Sequence, residues 1–344
     1  MTSPIVIAHR GASGYRPEHT IASYELAIEM GANFIEPDLV STRDGVLVAR
    51  HENALALLDT DGHLIEETTD VASIPRFAER LTVKVIEGRK LRGWFTEDFT
   101  LDELKTLRAR ERMRNLRSRE LDDRFEIPTF DEILELAGAA CASSGRPIGV
   151  YPETKFPSYF ASIGLSLEEP LIAALEKHRF GTDDRPAFIQ SFEVGNLRRM
   201  SSMTRVPLVQ LIATEGAPHD LGRSGDPRMF RDLLTDEGLG MIATYAAAVG
   251  PDKRWILPRT DDASSAPVKA VIPRAHSAGL AVHAWTFRAE NEFLPRELCR
   301  KGERFGDLES ELAQFFDLGV DGVFCDHPDK AVAARSAWRG IRMT

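Results

Sequence analysis

Short apolar runs alternate along this chain with stretches in which apolar residues recur every three or four positions. That alternation predicts strands and helices in turn. Residues 5–8 (IVIA) are the first run, and His9 and Arg10 follow at once. Ile21, Tyr24, Leu26, Ala27 and Met30 recur at helical spacing over 20–30, with Gly31 placed to end the helix. A second strand over 33–40 carries Glu36 and Asp38. The Arg43-Asp44-Gly45 turn then leads into a strand over 46–50 that ends at His51. After a break the rhythm resumes. Thr129 caps a helix over 130–142, and a strand over 148–151 leads to Glu153 and Lys155. Helices over 168–178 and 194–203 alternate with strands over 187–190 and 207–212. Residues 213–240, with Gly216, Pro218, Gly222, Gly225 and Pro227, read as loop, and 241–248 fits either element. A helix over 268–278, a strand over 280–285, a helix over 308–318 and a strand over 322–325 follow. A last helix begins near Pro328 with Asp326 as its cap.

About seven strands and one ambiguous segment, with helices between most of them, predict an α/β fold with a parallel sheet. The expected architecture is a (β/α)8 TIM barrel with a long insertion after the second strand region. A doubly wound open sheet is the structural alternative. It usually carries a Gly-x-Gly-x-x-Gly turn after its first strand, and HRGASG lacks that spacing. Residues 52–127 break the rhythm and are read as an ordered insertion covering the barrel mouth, within a single domain over 1–344. The run RARERMRNLRSRELDDR over 108–124 is read as a solvated helix face in preference to an anion-binding element.

Composition narrows this picture modestly. The 344 residues are 43% hydrophobic and 28% charged, an ordinary globular balance. With 43 Lys+Arg against 53 Asp+Glu the net charge is -10, which argues against a nucleic-acid partner but not against an anionic small molecule held by a few local cations. No apolar run reaches the length needed to span a bilayer, so no stable membrane insertion is expected. The N-terminus enters a strand directly. The expected location is cytoplasmic as written, or periplasmic or secreted if a leader was removed. Cys141, Cys299 and Cys325 lack metal-like spacing and read as free thiols. The oligomeric state is left open.

The candidate chemistry gathers at predicted strand ends. Glu36 and Asp38 are two apart on a strand and share a face. Two carboxylates ~4 Å apart repel by a few kcal/mol in a partly screened site, and a divalent cation removes that cost. An exposed surface pair is the plain alternative. Glu153 at another strand end would complete a three-carboxylate site for a hard cation, because a barrel gathers its strand C-termini at one mouth. Lys155 shares the Glu153 face and offers a point charge to a phosphate oxygen, or a simple ion pair. His9 and His51 are candidate acid and base. Arg10 presents a planar fork suited to phosphate. Trp285 is either a wall against an apolar or glycerol part of a substrate or ordinary core.

At this point the chain resembles the glycerophosphodiester phosphodiesterase family. The blocks that carry the resemblance are His-Arg-Gly (9–11), Pro-Glu-x-Thr (17–20), Gly-Ala-x-x-Ile-Glu-x-Asp (31–38), Thr-x-Asp-Gly (42–45) and His51. Tyr-Pro-Glu-Thr-Lys (151–155), Gln-Ser-Phe (190–192), Ala-Trp-Thr (284–286) and the block over 319–328 follow in order. The long insertion and the Tyr-Pro-Glu-x-Lys form are similar to the larger bacterial periplasmic branch. The resemblance implies a barrel enzyme with one divalent cation, Mg2+ or Ca2+, on Glu36, Asp38 and Glu153. It implies His9 and His51 as the acid/base pair, Arg10 and Lys155 on the phosphate, and Glu18 behind Arg10 or a histidine. The implied reaction cleaves a small glycerophosphodiester to sn-glycerol 3-phosphate and an alcohol. Three departures stand out: Glu52 after His51 where the family usually has Asp, His19 where it has Asn, and a longer stretch over 54–65. Two alternatives are kept. One is a phospholipase D-like enzyme acting on lysophospholipid or sphingolipid, for which Phe77, Trp94, Phe95 and Phe99 would supply apolar surface. The other is a non-enzymatic binding barrel.

Overall fold

The computed structural model describes residues 3–257 and 270–342. Ile5–His9 pairs in parallel with Phe34–Glu36 on one side and Gly322–Cys325 on the other. Phe34–Glu36 resumes after Pro37 as Asp38–Ser41, and Gly149–Val150 resumes after Pro152 as Glu153–Thr154. These two interrupted strands pair with each other on both sides of their breaks. Ile189–Ser191, Leu208–Ile212, Ala248–Pro251 and Ala281–Phe287 then follow in chain order, and the last of them pairs with Gly322–Cys325. Eight parallel staves thus close on themselves, as expected of a (β/α)8 barrel. The prolines explain the breaks, since each removes a ladder donor.

Side-chain alternation decides what points where. Ile7, Phe34, Tyr151, Val209 and Phe324 belong to one small buried cluster inside the barrel. Their strand neighbours Val6, Ala8, Ile35 and Val323 join a larger cluster with the helices, including Tyr24, Ile133, Leu171 and Phe315. A period of two carries the inward set forward from Ile7 to His9, from Phe34 to Glu36, and from Tyr151 to Glu153. The helices begin where short polar side chains cap them. The Thr20 hydroxyl accepts from the Ser23 amide ahead of Ile21–Glu29. Thr129 and Glu132 form a reciprocal capping box at Phe130–Ser144, and Gly145 ends that helix at φ +66°.

Several expectations are corrected. The strand expected over 46–50 is Leu47–Ala49, and it runs antiparallel to Asp38–Ser41 as a returning hairpin arm, not as a barrel stave. Residues 213–240 contain the short helices His219–Ser224 and Phe230–Leu233, and a third begins at Asp236. The ambiguous 241–248 divides between the end of that helix, Asp236–Ile242, and the strand Ala248–Pro251. The helix expected over 268–278 is seen as Val271–Ser277, and its first two expected positions lie outside the described residues.

The insertion is ordered. Ala54–Leu58, Leu64–Glu67, Thr82–Ile86 and Arg89–Phe95 form a separate four-stranded antiparallel sheet. Ala54, Leu57, Ile86 and Phe95 on one face pack with Phe156 and Tyr159, which follow the Glu153–Thr154 strand. Residues 108–124 form no helix but a run of turns. Their arginines pair with carboxylates of other segments: Arg110 and Arg114 with Glu67, Arg112 with Glu18, and Arg117 with Glu290 and Asp326. Residues five apart on a helix lie about 140° apart around its axis, so a helix could not turn Arg112 and Arg117 inward together. Long-range pairing overrides the local pattern.

Candidate active site

His9, Arg10, Glu36, His51, Glu153, Lys155 and Trp285 all line one cavity of about 550 Å³ at the C-terminal ends of the staves. Asp38 lies just beneath, 1% exposed. His51 arrives by a different route from the others. The hairpin arm carries it back, and the Arg50 amide donates to the Asp38 carbonyl at 3.0 Å. A second cavity of about 370 Å³ shares His51, Glu153, Lys155 and Phe192 with the first and lies between the barrel and the insertion sheet.

The His-Arg-Gly turn is shaped by backbone. Arg10 sits at φ +62° and Gly11 at φ +83°. A Cβ on Gly11 would meet the Ser23 backbone at 2.7 Å, so only glycine fits there. The Arg10 amide donates to Glu36 Oε2 at 2.9 Å. Its guanidinium bonds Glu18 Oε2 at 2.9 Å and lies 3.3 Å from Asp38 Oδ2. Glu18 is therefore the residue behind Arg10.

Glu36, Asp38 and Glu153 are all buried, and each offers an oxygen within 4.8 Å of the others'. Burial, Asp38 and Glu153 push the Glu36 carboxyl well above its ordinary range. Burial and Asp38 raise Glu153 to about 8, against the pull of Lys155. Asp38 goes the other way. Burial favours its protonation, but Lys155, the His19 bond and Arg10 hold it well below the usual carboxylate range. Lys155 Nζ bonds Glu153 Oε1 at 2.8 Å and lies 3.5 Å from Asp38 Oδ1. Gln190 Nε2 donates to Glu36 Oε1 at 3.0 Å.

Each candidate histidine has a carboxylate on Nδ1. His9 bonds Asp326 Oδ1 at 2.6 Å, and His51 bonds Glu52 Oε1 at 2.6 Å. Burial and Arg10 lower His9 to about 4 although Asp326 pulls it up. Burial, Arg10 and Lys155 lower His51 to about 3. With Nδ1 occupied, Nε2 is the ring nitrogen left to a substrate. Trp285 lines the cavity, with its Nε1 donating to the Gly250 carbonyl at 2.6 Å and its ring against the edge of Phe192.

Sequence reasoning missed several residues here. Asp326 was expected to cap the last helix. Instead its oxygens bond His9, Arg117 and Arg288. The signal was available, because Asp326 follows an apolar strand just as His9 does. His19 bridges Asp38 Oδ2 and the Tyr24 hydroxyl, each at 2.9 Å. Lys253, Arg254 and Arg288 add cations to the cavity wall. Phe77, Trp94, Phe95 and Phe99, considered as lipid-facing, are instead all buried.

A closed barrel with carboxylates, cations and paired histidines at one mouth defines a hydrolase-type site built for an anion. Comparison with known proteins narrows this. Residues 9–330 match the model of the glycerophosphoryl diester phosphodiesterase family. The chain is 34% identical over 335 residues to the glycerophosphodiester phosphodiesterase GDPD6 of Arabidopsis thaliana, covering 94% of this chain and 83% of that one. It is 29% identical over 332 residues to a glycerophosphodiester phosphodiesterase of Bacillus subtilis, covering 94% and 84%. A solved protein from Silicibacter pomeroyi shares the fold at TM-score 0.64 and 18% identity, over 98% of this chain and 95% of that one. An Oleispira antarctica phosphodiesterase, solved with the product sn-glycerol-3-phosphate, does so at TM-score 0.59 and 20% identity, over 97% of each chain. The chain therefore belongs to the glycerophosphoryl diester phosphodiesterase family, and the protein is by that membership a phosphoric diester hydrolase.

Proposed function

We propose that this protein hydrolyses small glycerophosphodiesters to sn-glycerol 3-phosphate and an alcohol, with His9 and His51 as the acid/base pair. The observation that carries the reading is the pair of histidines, each held at 2.6 Å by its own carboxylate, in one cavity with Arg10 and Lys155.

Glu36, Asp38 and Glu153 fit a divalent cation. They are an all-oxygen donor set, buried and mutually close, and Glu36 and Glu153 favour holding protons when nothing else neutralises them. When bound, such an ion supplies charge neutralisation to the phosphate oxygens. Arg10 and Lys155 hold the phosphate from their own positions in the same wall. One histidine takes a proton from the attacking oxygen, which belongs to water or to the glycerol 2-hydroxyl. The new P–O bond forms as the P–O bond to the alcohol breaks, and the other histidine, which takes up a proton on Nε2 once the phosphodiester anion offsets Arg10 and Lys155 beside it, gives that proton to the departing alkoxide. If the 2-hydroxyl attacks, water opens the resulting cyclic ester in a second step. The insertion sheet, in this reading, closes one side of the mouth within a single barrel domain.

The phospholipase D-like alternative needs room for an acyl chain. The second cavity has apolar lining at Leu57, Ile86 and Leu91, but Glu52, Glu66 and Glu193 share its wall. Glu193 is buried and Glu52 and Glu66 are half-buried, and carboxylates in the wall disfavour a hydrocarbon neighbour, so a small polar alcohol fits better. The test is product analysis on glycerophosphocholine and lysophosphatidylcholine. Release of glycerol 3-phosphate from the first, with at least about tenfold lower kcat/KM on the second, supports the reading. The reverse preference overturns it.

A further inference from the structure

The turns of residues 108–124 reach the catalytic centre at two points. Arg117 is among the least accessible arginines, with its side chain 2% exposed. It bonds Glu290 Oε1 at 2.7 Å, Asp326 Oδ2 at 2.6 Å and the Ser13 carbonyl at 2.8 Å. Asp326 is the carboxylate on His9 Nδ1, and the Ser13 hydroxyl donates to the His9 carbonyl at 2.8 Å. Five residues earlier, Arg112 reaches both oxygens of Glu18 at 3.0 and 3.2 Å, and Glu18 holds Arg10. One segment of the insertion thus grips the group behind the histidine and the group behind the phosphate arginine.

We propose that this segment is a strap that completes the catalytic centre, with Arg117 as the positioning residue for His9 and Arg112 for Arg10. A planar guanidinium bonded to two carboxylates and a carbonyl has one geometry, and it imposes that geometry on Asp326. Asp326 in turn sets the plane and tautomer of the His9 ring. Arg288 also bonds Asp326 Oδ2, at 2.8 Å, but comes from the barrel side and is more exposed. It supplies charge without the link to Ser13 and Glu290. Arg117 touches no substrate in this account. Its loss should therefore act on the chemical step, where ring alignment matters, and not on ground-state binding.

The inference rests on the proposed role of His9, and kinetics on the full chain test it. Glycerophosphocholine is the substrate, and kcat, KM and melting temperature are measured for wild type, Arg117→Ala, Arg117→Lys, Arg112→Ala and Arg119→Ala. Arg119 belongs to the same segment, is largely exposed and, among the described residues, pairs only with Asp122. The expected result is a kcat lowered about 10- to 100-fold by Arg117→Ala with KM within about threefold of wild type. Arg117→Lys should recover part of the loss, Arg112→Ala should raise KM, and Arg119→Ala should match wild type. A folded Arg117→Ala with wild-type kcat overturns the strap. If Arg117→Ala shows no melting transition, Arg117→Lys decides. A reduced kcat at unchanged KM supports the strap and a wild-type kcat overturns it. A wild-type protein that releases no glycerol 3-phosphate overturns the proposed function and the strap together, whereas the first outcome overturns the strap alone.

Discussion

The sequence resemblance implies Asp where this chain has Glu52, and the longer side chain bonds His51 Nδ1 at 2.6 Å. If His51 is half of an acid/base pair, that bond fixes which ring nitrogen carries the proton. Glu52→Gln should lower kcat about tenfold or more, read by steady-state kinetics on glycerophosphocholine. An unchanged kcat would show that His51 needs no carboxylate behind it. A different histidine gives a pH prediction. His283 lies inside the barrel, bonded through Nδ1 to the Tyr151 hydroxyl, and burial lowers it to about 4. The unfolded chain takes up its proton near the ordinary value of 6.5 while the folded chain waits until about 4. Its contribution to stability is therefore lost as pH falls through that window. The melting-temperature gap between wild type and His283→Gln should narrow from pH 7 to pH 4.5, and a widening gap would contradict the assignment. Glu36, Asp38, Glu153 and Lys155 were legible as candidates because strand alternation puts residues two apart on one face, and His9 and Arg10 because an imidazole and a guanidinium follow the end of an apolar strand. Arg117 and His19 were not, because each meets a partner that only the closed barrel brings near, and Asp326, although it follows a strand as His9 does, reads in the sequence as a helix cap.

At the scale of elements, the periodic helices were readable and the irregular ones were not. Leu308–Leu318 and Gly322–Cys325 fall where their patterns predict. Phe130–Ser144 begins at the threonine that its capping box requires. Thr129→Ala should cost about 1 kcal/mol, measured by denaturant unfolding, because it strips the hydroxyl that accepts from the Glu132 amide. A loss below ~0.3 kcal/mol would mean that tertiary packing alone holds that end. By contrast, His219–Ser224 and Phe230–Leu233 span fewer than two helical turns each, too few for a periodic signal among so many glycines and prolines. The hairpin arm Leu47–Ala49 misled for another reason. Its sequence has the same apolar strand character as a stave, and direction is not written in a three-residue run.

The whole molecule carries its charge unevenly. The chain is net -10, yet Arg10, Lys155, Lys253, Arg254 and Arg288 all border the main cavity. Local cations on an acidic protein suit an anionic diester. Three cysteines are free, so the barrel relies on no disulfide. Among the described residues no helix is long and apolar enough to cross a membrane. The order of the barrel was legible from alternation. The arrangement of the insertion was not, since its strands pair among themselves and its turns are set by arginines that seek distant acids. The most direct test of the central claim is release of glycerol 3-phosphate from glycerophosphocholine before and after chelation, with Glu153→Ala beside wild type. The account predicts that EDTA abolishes release by wild type, that added Mg2+ or Ca2+ restores it, and that Glu153→Ala stays at least about 100-fold below wild type whatever the ion supplied. Full activity in chelator, or a Glu153→Ala variant as active as wild type, would contradict it.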